Sequence, residues 1–478
     1  MAMIRKLVFT VLALGGAAAL LLLSGVLVNG TSSAMTSSQT KAASDPTQRR
    51  ADSLVAQGRR VFRFNTFGDE AVWGGVLGLH KAIEGSKLGG VGAGISPKQA
   101  LALGLKVDAT AIPKKVAAAI KAGKVNLDDP AVTVTLLKLN AVVGVKGFFD
   151  KQGSLTSVGL TCAVCHSTVD DSFAAGIGKR LDGWPNQDLN VGAIVAAAPN
   201  LKPLQDLLGV DEATVKKVLN GWGPGFYNAE LNMDGKAVGP DPSHANEPNA
   251  PMTPHGATTR IPSAFGKDGQ NLHTWGGGWG TVTYWNSYVA VTQMHGIGNF
   301  VDPRLDDAKK YPLAAKNGFG HIFPYVGSAV LPVPDKNPGL RDQATEAMRS
   351  LDFYQRALPA PKPPKGSFNQ AAAKRGEAVF NGQGKCASCH MGSIGSRPGY
   401  NAVKPAEICT DAFHANRAPD GTYVIPPLQA LFTRSKRGFY HDGRYPTLLD
   451  VVNHYDSCFK LSLNGQQKTD LVEYLKSR

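Results

Sequence analysis

Residues 370–390 read QAAAKRGEAVFNGQGKCASCH. The first half is Ala-rich and spaced as a helix from Gln370 to Phe380, with Gly376 on one face. The second half ends in Cys386-Ala-Ser-Cys389-His390, a C-x-x-C-H pentapeptide. Two thiols one helical turn apart can add across the two vinyl groups of a haem. The histidine that follows then lies under the iron and supplies an axial nitrogen. A further helix is expected over Gly465–Lys476, with Leu471, Tyr474 and Leu475 on one side. A helix before the motif and a helix at the C-terminus is the plan of a small cytochrome c.

The pentapeptide occurs a second time, as Cys162-Ala-Val-Cys165-His166. The expectation is therefore two covalently bound haem c groups, attached at Cys162 and Cys165 and at Cys386 and Cys389. His166 and His390 are the metal ligands. A thioredoxin-like thiol pair or half of a zinc site would use the same cysteines. Zinc would need further Cys/His pairs at short spacing, and the sequence offers none. Of the six cysteines, Cys409 and Cys458 remain. They read as a disulfide in an oxidising compartment, or else as free buried thiols. Such a bond would close a loop of ~50 residues and add ~3–4 kcal/mol in the chain-entropy model.

Working outward, Pro359-Ala-Pro-Lys-Pro-Pro-Lys-Gly366 is a stiff, extended linker. It separates an expected C-terminal cytochrome c domain, 367–478, from an enlarged N-terminal haem domain, 51–358. The chain begins with a targeting segment. Arg5 and Lys6 precede an apolar run from Leu7 to about Val28, and small residues follow at Thr31–Ala34. Residues 1–34 read as a signal peptide or an uncleaved membrane anchor, and 35–50 as a disordered tether. Either way the rest is expected in the periplasm, soluble or tethered to the inner membrane.

The chain has 478 residues, 43% of them hydrophobic and 18% charged, which is globular composition. The many Gly (54) and Pro (30) imply long irregular loops, so the fold class expected is mainly α with two cytochrome c-like domains. The formal charge is +14. It suits docking to an acidic redox partner or an anionic membrane surface, or solubility alone. No basic run is dense enough for nucleic acid. Helices are expected at 46–63, 96–105, 113–122, 200–221 and 342–356. The apolar stretch 131–149 is ambiguous between strand and buried helix, and helix is favoured.

The second axial ligand decides between electron transfer and chemistry at each iron. Near the second motif, Thr447 caps an expected helix through Asp456 that carries His454 and Tyr455 as candidate metal ligands. Tyr455 could instead pack against the haem edge, and His441 could bond a propionate. Met391, the one Met after the motif, adjoins His390 and cannot reach round the ring. No His or Met follows the first motif within the next 60 residues. His255, His273, Met294 and His295 are distant candidates, so an open first haem is the alternative. Trp275, Trp279, Tyr284 and Trp285 read either as an electron path or as ordinary core.

These features resemble the bacterial dihaem cytochrome c peroxidase superfamily, which includes the methylamine dehydrogenase maturation enzyme and the rubber oxygenases. The resemblance lies in the two motifs, the leader, and the signature Pro426-Pro427-Leu428, Gly438-Phe439-Tyr440-His441-Asp442-Gly443 and Thr447-Leu448. It is specific over 370–478 and loose before that. It implies that Tyr455 occupies the sixth-ligand position of the C-terminal haem. The long stretch ahead of Cys162 looks more like the rubber-oxygenase branch. Classical members carry a His soon after the first motif, and residues 167–184 hold none. The expected function is an exported dihaem cytochrome that couples electron transfer to peroxide reduction or a related oxidation at the first haem. Its partners would be a small redox protein and peroxide or oxygen. The alternatives are a pure electron carrier and an oxygenase acting on an organic substrate.

Overall fold

The stretch 131–149 is two elements rather than one helix. The computed structural model describes residues 45–237, 256–323 and 341–478. It has a helix at Pro130–Lys138, capped by the Asp129 side chain, and a strand at Val145–Phe149. The chain turns between them through Asn140 at φ +51° and Gly144 at φ +79°. A Cβ on Gly144 would lie 2.0 Å from the Val164 nitrogen, so the turn presses directly on the first C-x-x-C-H segment. Val145–Phe149 pairs antiparallel with Leu155–Leu160. A β-hairpin, not a helix, therefore delivers the chain to Cys162. An apolar run of this length satisfies both periods, and only its tertiary partner settles which one forms.

The protein is mainly α-helical. Its strands pair only as short two-stranded ladders among the described residues. The expected helices form at Pro46–Phe64, Pro97–Ala102, Lys114–Lys121 and Thr345–Ala357. Residues 200–221 hold two helices, Lys202–Leu208 and Glu212–Asn220, because Asp211 caps a fresh start through the Thr214 N–H. The leader lies outside the described residues, as do 35–44 of the expected tether and His255.

Thr47–Arg478 packs as one unit. It holds two clusters of buried apolar residues. The larger is built almost wholly from residues 62–358. The smaller joins Phe380, Leu431, Phe439, Val452, Leu461, Leu463, Leu471 and Leu475. In the smaller cluster Gln370–Asn381 crosses Gly465–Lys476 at Gly376, where a Cβ would lie 2.0 Å from the Asp470 carbonyl oxygen. Arg375 clamps Asp470 through two bonds of 2.8 and 2.7 Å beside that crossing. Polar contacts tie the regions around the two clusters together. Arg417 Nε donates to Asp234 at 2.7 Å, and Arg437 Nε donates to the Gln187 carbonyl at 2.8 Å. Cys409 and Cys458 are disulfide-bonded, which decides between the two readings of the remaining cysteines.

Candidate functional site

Each C-x-x-C-H segment forms one turn. His166 N–H donates to the Cys162 carbonyl at 3.1 Å, and His390 N–H donates to the Cys386 carbonyl at 3.0 Å. One turn places the two sulfurs of a pair and the histidine on the same local surface. Both imidazoles are oriented in the same way. His166 Nδ1 lies 2.9 Å from the Pro262 carbonyl, and His390 Nδ1 lies 2.8 Å from the Gly395 carbonyl. A carbonyl only accepts, so Nδ1 carries the proton and Nε2 keeps its lone pair. A backbone carbonyl on the far nitrogen is how a metal-binding histidine is usually held. Burial pushes both imidazoles down to about 4, and they are neutral at neutral pH. Pro262 lies almost a hundred residues from His166, and nothing in the sequence marks it as a partner.

As free thiols Cys162, Cys165 and Cys386 are poor nucleophiles. Burial pushes Cys162 and Cys165 up to about 12 and Cys386 up to about 11. A redox thiol pair or a zinc site works through thiolates and needs the opposite shift. The group of side chains that could meet on a metal ion, among the described residues, is Asp411, His441 and Asp442. Arg444 already spans both of its carboxylates.

His390, Cys386 and Cys389 open onto a cavity with about 1360 Å³ of empty space, part of it open to solvent. Its walls are largely apolar and come from the crossing helices and from Leu448–Phe459. Thr447 caps that helix through the Asp450 N–H, as expected. Tyr455 lines the cavity, and burial pushes its hydroxyl up to about 12. Tyr440, beside it, has φ +71°, an unusual backbone for a bulky residue. His454 is not in the wall. Its Nδ1 meets the Tyr445 hydroxyl at 2.8 Å and its Nε2 meets the Ile408 carbonyl at 2.9 Å. His441 and Tyr423 also reach the cavity, stacked with ring centroids 4.6 Å apart.

Around the first motif the candidates separate. His273 is buried with neither ring nitrogen hydrogen-bonded, and Lys267 acts electrostatically on both it and His166. Met294 is buried and its carbonyl accepts from Trp73 Nε1 at 2.9 Å. His295 packs 5.9 Å from the Trp73 ring. Trp279 and Trp285 belong to a core cluster with Tyr288, and Tyr284 packs on Phe300. Trp275 differs, since it faces the His390 cavity and donates to the Arg260 carbonyl at 2.7 Å. Asp69, which no sequence pattern flags, is fully buried near Cys162 and held by burial well above the usual carboxylate range.

No protein-family model and no curated protein matches the chain. Solved structures are similar over part of it, among them the following two. Hydrazine synthase of Kuenenia stuttgartiensis, in a structure pressurized with 20 bar xenon, is 18% identical with a TM-score of 0.25, over 46% of this chain and 72% of that one. A MauG-like protein associated with microbial copper homeostasis is 18% identical with a TM-score of 0.24, over 31% of this chain and 60% of that one. Likenesses this slight place the chain in neither fold.

Proposed function

We propose that the chain is an exported dihaem c-type cytochrome that passes electrons between a redox protein and an oxidation at the His166 haem. One observation carries this reading. Both C-x-x-C-H histidines are fixed through Nδ1 to a backbone carbonyl, which leaves the Nε2 lone pair for a metal, and one of them opens onto a largely apolar cavity with its two cysteines. That donor set and that wall fit a covalently attached haem. The haems would supply one-electron and oxygen or peroxide chemistry.

The chain's own residues would do the rest. Cys162, Cys165, Cys386 and Cys389 attach the two groups, and His166 and His390 ligate them. Tyr455, in the wall of the His390 cavity, would offer its hydroxyl to that haem, which would suit the site to relay. Asp69 would hold a proton near Cys162. The leader directs export to the periplasm, and the residues after it form two cytochrome c-like domains around the two apolar clusters. A pure electron carrier is the second reading, and His273 favours it, because a buried imidazole with two unpaired nitrogens suits an axial ligand.

The two readings separate in optical and EPR spectra of oxidised and reduced holoprotein, with and without CO. The proposal expects two haems per chain by mass and a CO adduct at the first alone. Two six-coordinate haems that bind no CO would leave the carrier reading in its place.

A further inference from the structure

Two buried cations line the His390 cavity, and neither is ion-paired with an acid among the described residues. Arg260 is 1% exposed and Arg434 is 7% exposed. Arg260 donates to Gln187 Oε1 at 3.2 Å and to the Arg434 carbonyl at 2.5 Å. Arg434 donates to the Pro427 and Gln429 carbonyls at 3.0 and 2.9 Å. Every one of these acceptors is neutral. The Nε of each guanidinium is buried with no hydrogen-bond partner, and both side chains line the His390 cavity. The acid that acts on Arg260 is Asp442, and Arg444 already occupies its carboxylate.

The Arg434 charge also acts on Arg260. Buried charges are expensive unless paired, and like charges together are more so. A fold that keeps these two, while the acid that acts on Arg260 is held by Arg444, is built around an anion. A guanidinium with a free Nε edge is the fork that takes a carboxylate through two bonds.

We propose that Arg260 and Arg434 form a cation bridge that receives the propionates of the His390 haem. This rests on the dihaem reading. A fixed positive charge beside a haem favours its reduced state, which carries one positive charge fewer. The bridge therefore raises the potential of that haem.

The test uses holoprotein from a host that attaches haem c, with the haem count taken first by mass. Arg434→Gln is expected to keep two haems and to lower the equilibrium constant for reducing the His390 haem at least tenfold, or about 59 mV for one electron. Arg434→Lys, which keeps the charge, should stay within threefold of the parent. A His390 haem potential within threefold of the parent in Arg434→Gln, with two haems retained, would overturn the bridge and leave the dihaem reading standing. If a variant yields no holoprotein, the parent protein decides. With haem labelled at the propionate carbons, infrared bands should show ionised carboxylates from about pH 5 to about pH 9. A protonated propionic band in that range overturns the bridge. A parent protein without haem overturns the dihaem reading itself, and the bridge with it.

Discussion

The Tyr445 hydroxyl donates to His454 Nδ1 at 2.8 Å, while His454 Nε2 lies 2.9 Å from the Ile408 carbonyl. A carbonyl cannot donate, so Nε2 carries the proton and Nδ1 accepts. Both nitrogens are spent, and the ring pins helix Leu448–Phe459 to the turn Pro405–Ile408. His454 is thus a fastener, and its neighbour Tyr455 is the residue that faces the cavity. His454→Ala is expected to cost about 1–3 kcal/mol, the price of unmaking a buried hydrogen bond. It should leave the visible spectrum of the holoprotein unchanged. Tyr455→Phe should do the reverse, altering the spectrum of the His390 haem with little loss of stability. Urea unfolding and optical spectra of the two variants check both. A spectral change in His454→Ala alone would reverse the assignment.

The Cys409–Cys458 disulfide fastens the same two elements covalently, across a sequence separation of 49. Replacing both cysteines by serine is expected to lower stability by about 2–4 kcal/mol. The urea midpoint should fall and the slope of the transition should rise, because the unfolded chain loses its cross-link and exposes more surface. Equal midpoints for the variant and the parent would mean that the His454 contacts alone hold the turn.

How much of this was legible in the sequence depends on how local each signal is. The attachment turns, the cap at Thr447 and the pairing of Cys409 with Cys458 follow from short spacings or simple parity. Helix Gly465–Lys476 follows from its own period. The hairpin at 145–160 was missed because its apolar residues suit either period, and Gly144 is forced to turn only by its contact with Val164. Tyr455 and His454 are adjacent in sequence, and only the helix rotation separates their roles. Pro262 behind His166, and the unpaired Arg260 and Arg434, depend on partners far along the chain.

Glu230 shows what such long-range burial does to pH dependence. It is 3% exposed, 3.8 Å from His414 and 4.0 Å from Arg417. Burial raises its carboxyl from 4.5 to about 7; Arg417 opposes the rise and Asp234 adds to it. The folded protein therefore holds a proton that the unfolded chain releases above about pH 4.5. That contribution is fully present below pH 4.5 and is lost as pH rises to about 7. The loss is roughly 3 kcal/mol. Glu230→Gln should match the parent near about pH 4.5 and be the more stable protein near about pH 8. Denaturation at both pH values checks this. A variant less stable than the parent near pH 8 would mean that the ionised Glu230 is a net asset through Arg417.

The crossing at Gly376 sets the floor of the His390 cavity. A Cβ there would lie 2.0 Å from the Asp470 carbonyl oxygen and 2.9 Å from Tyr474 Cβ. The nearer obstacle is backbone, which cannot rotate aside as a side-chain tip can. Gly376→Ala must therefore push Gly465–Lys476 outward, and Leu471 and Leu475, which line the cavity, move with it. Helix propensity acts the other way, since Ala is favoured over Gly by about 1 kcal/mol in a helix interior. Overpacking costs typically 1–3 kcal/mol and more against rigid backbone, so it outweighs the propensity. The expected result is a net loss of up to about 2 kcal/mol, the difference between those terms. Less haem should be recovered at the second motif than at the first, read by mass on separated peptides. A Gly376→Ala protein as stable as the parent, with two haems, would show that the helices can part without cost.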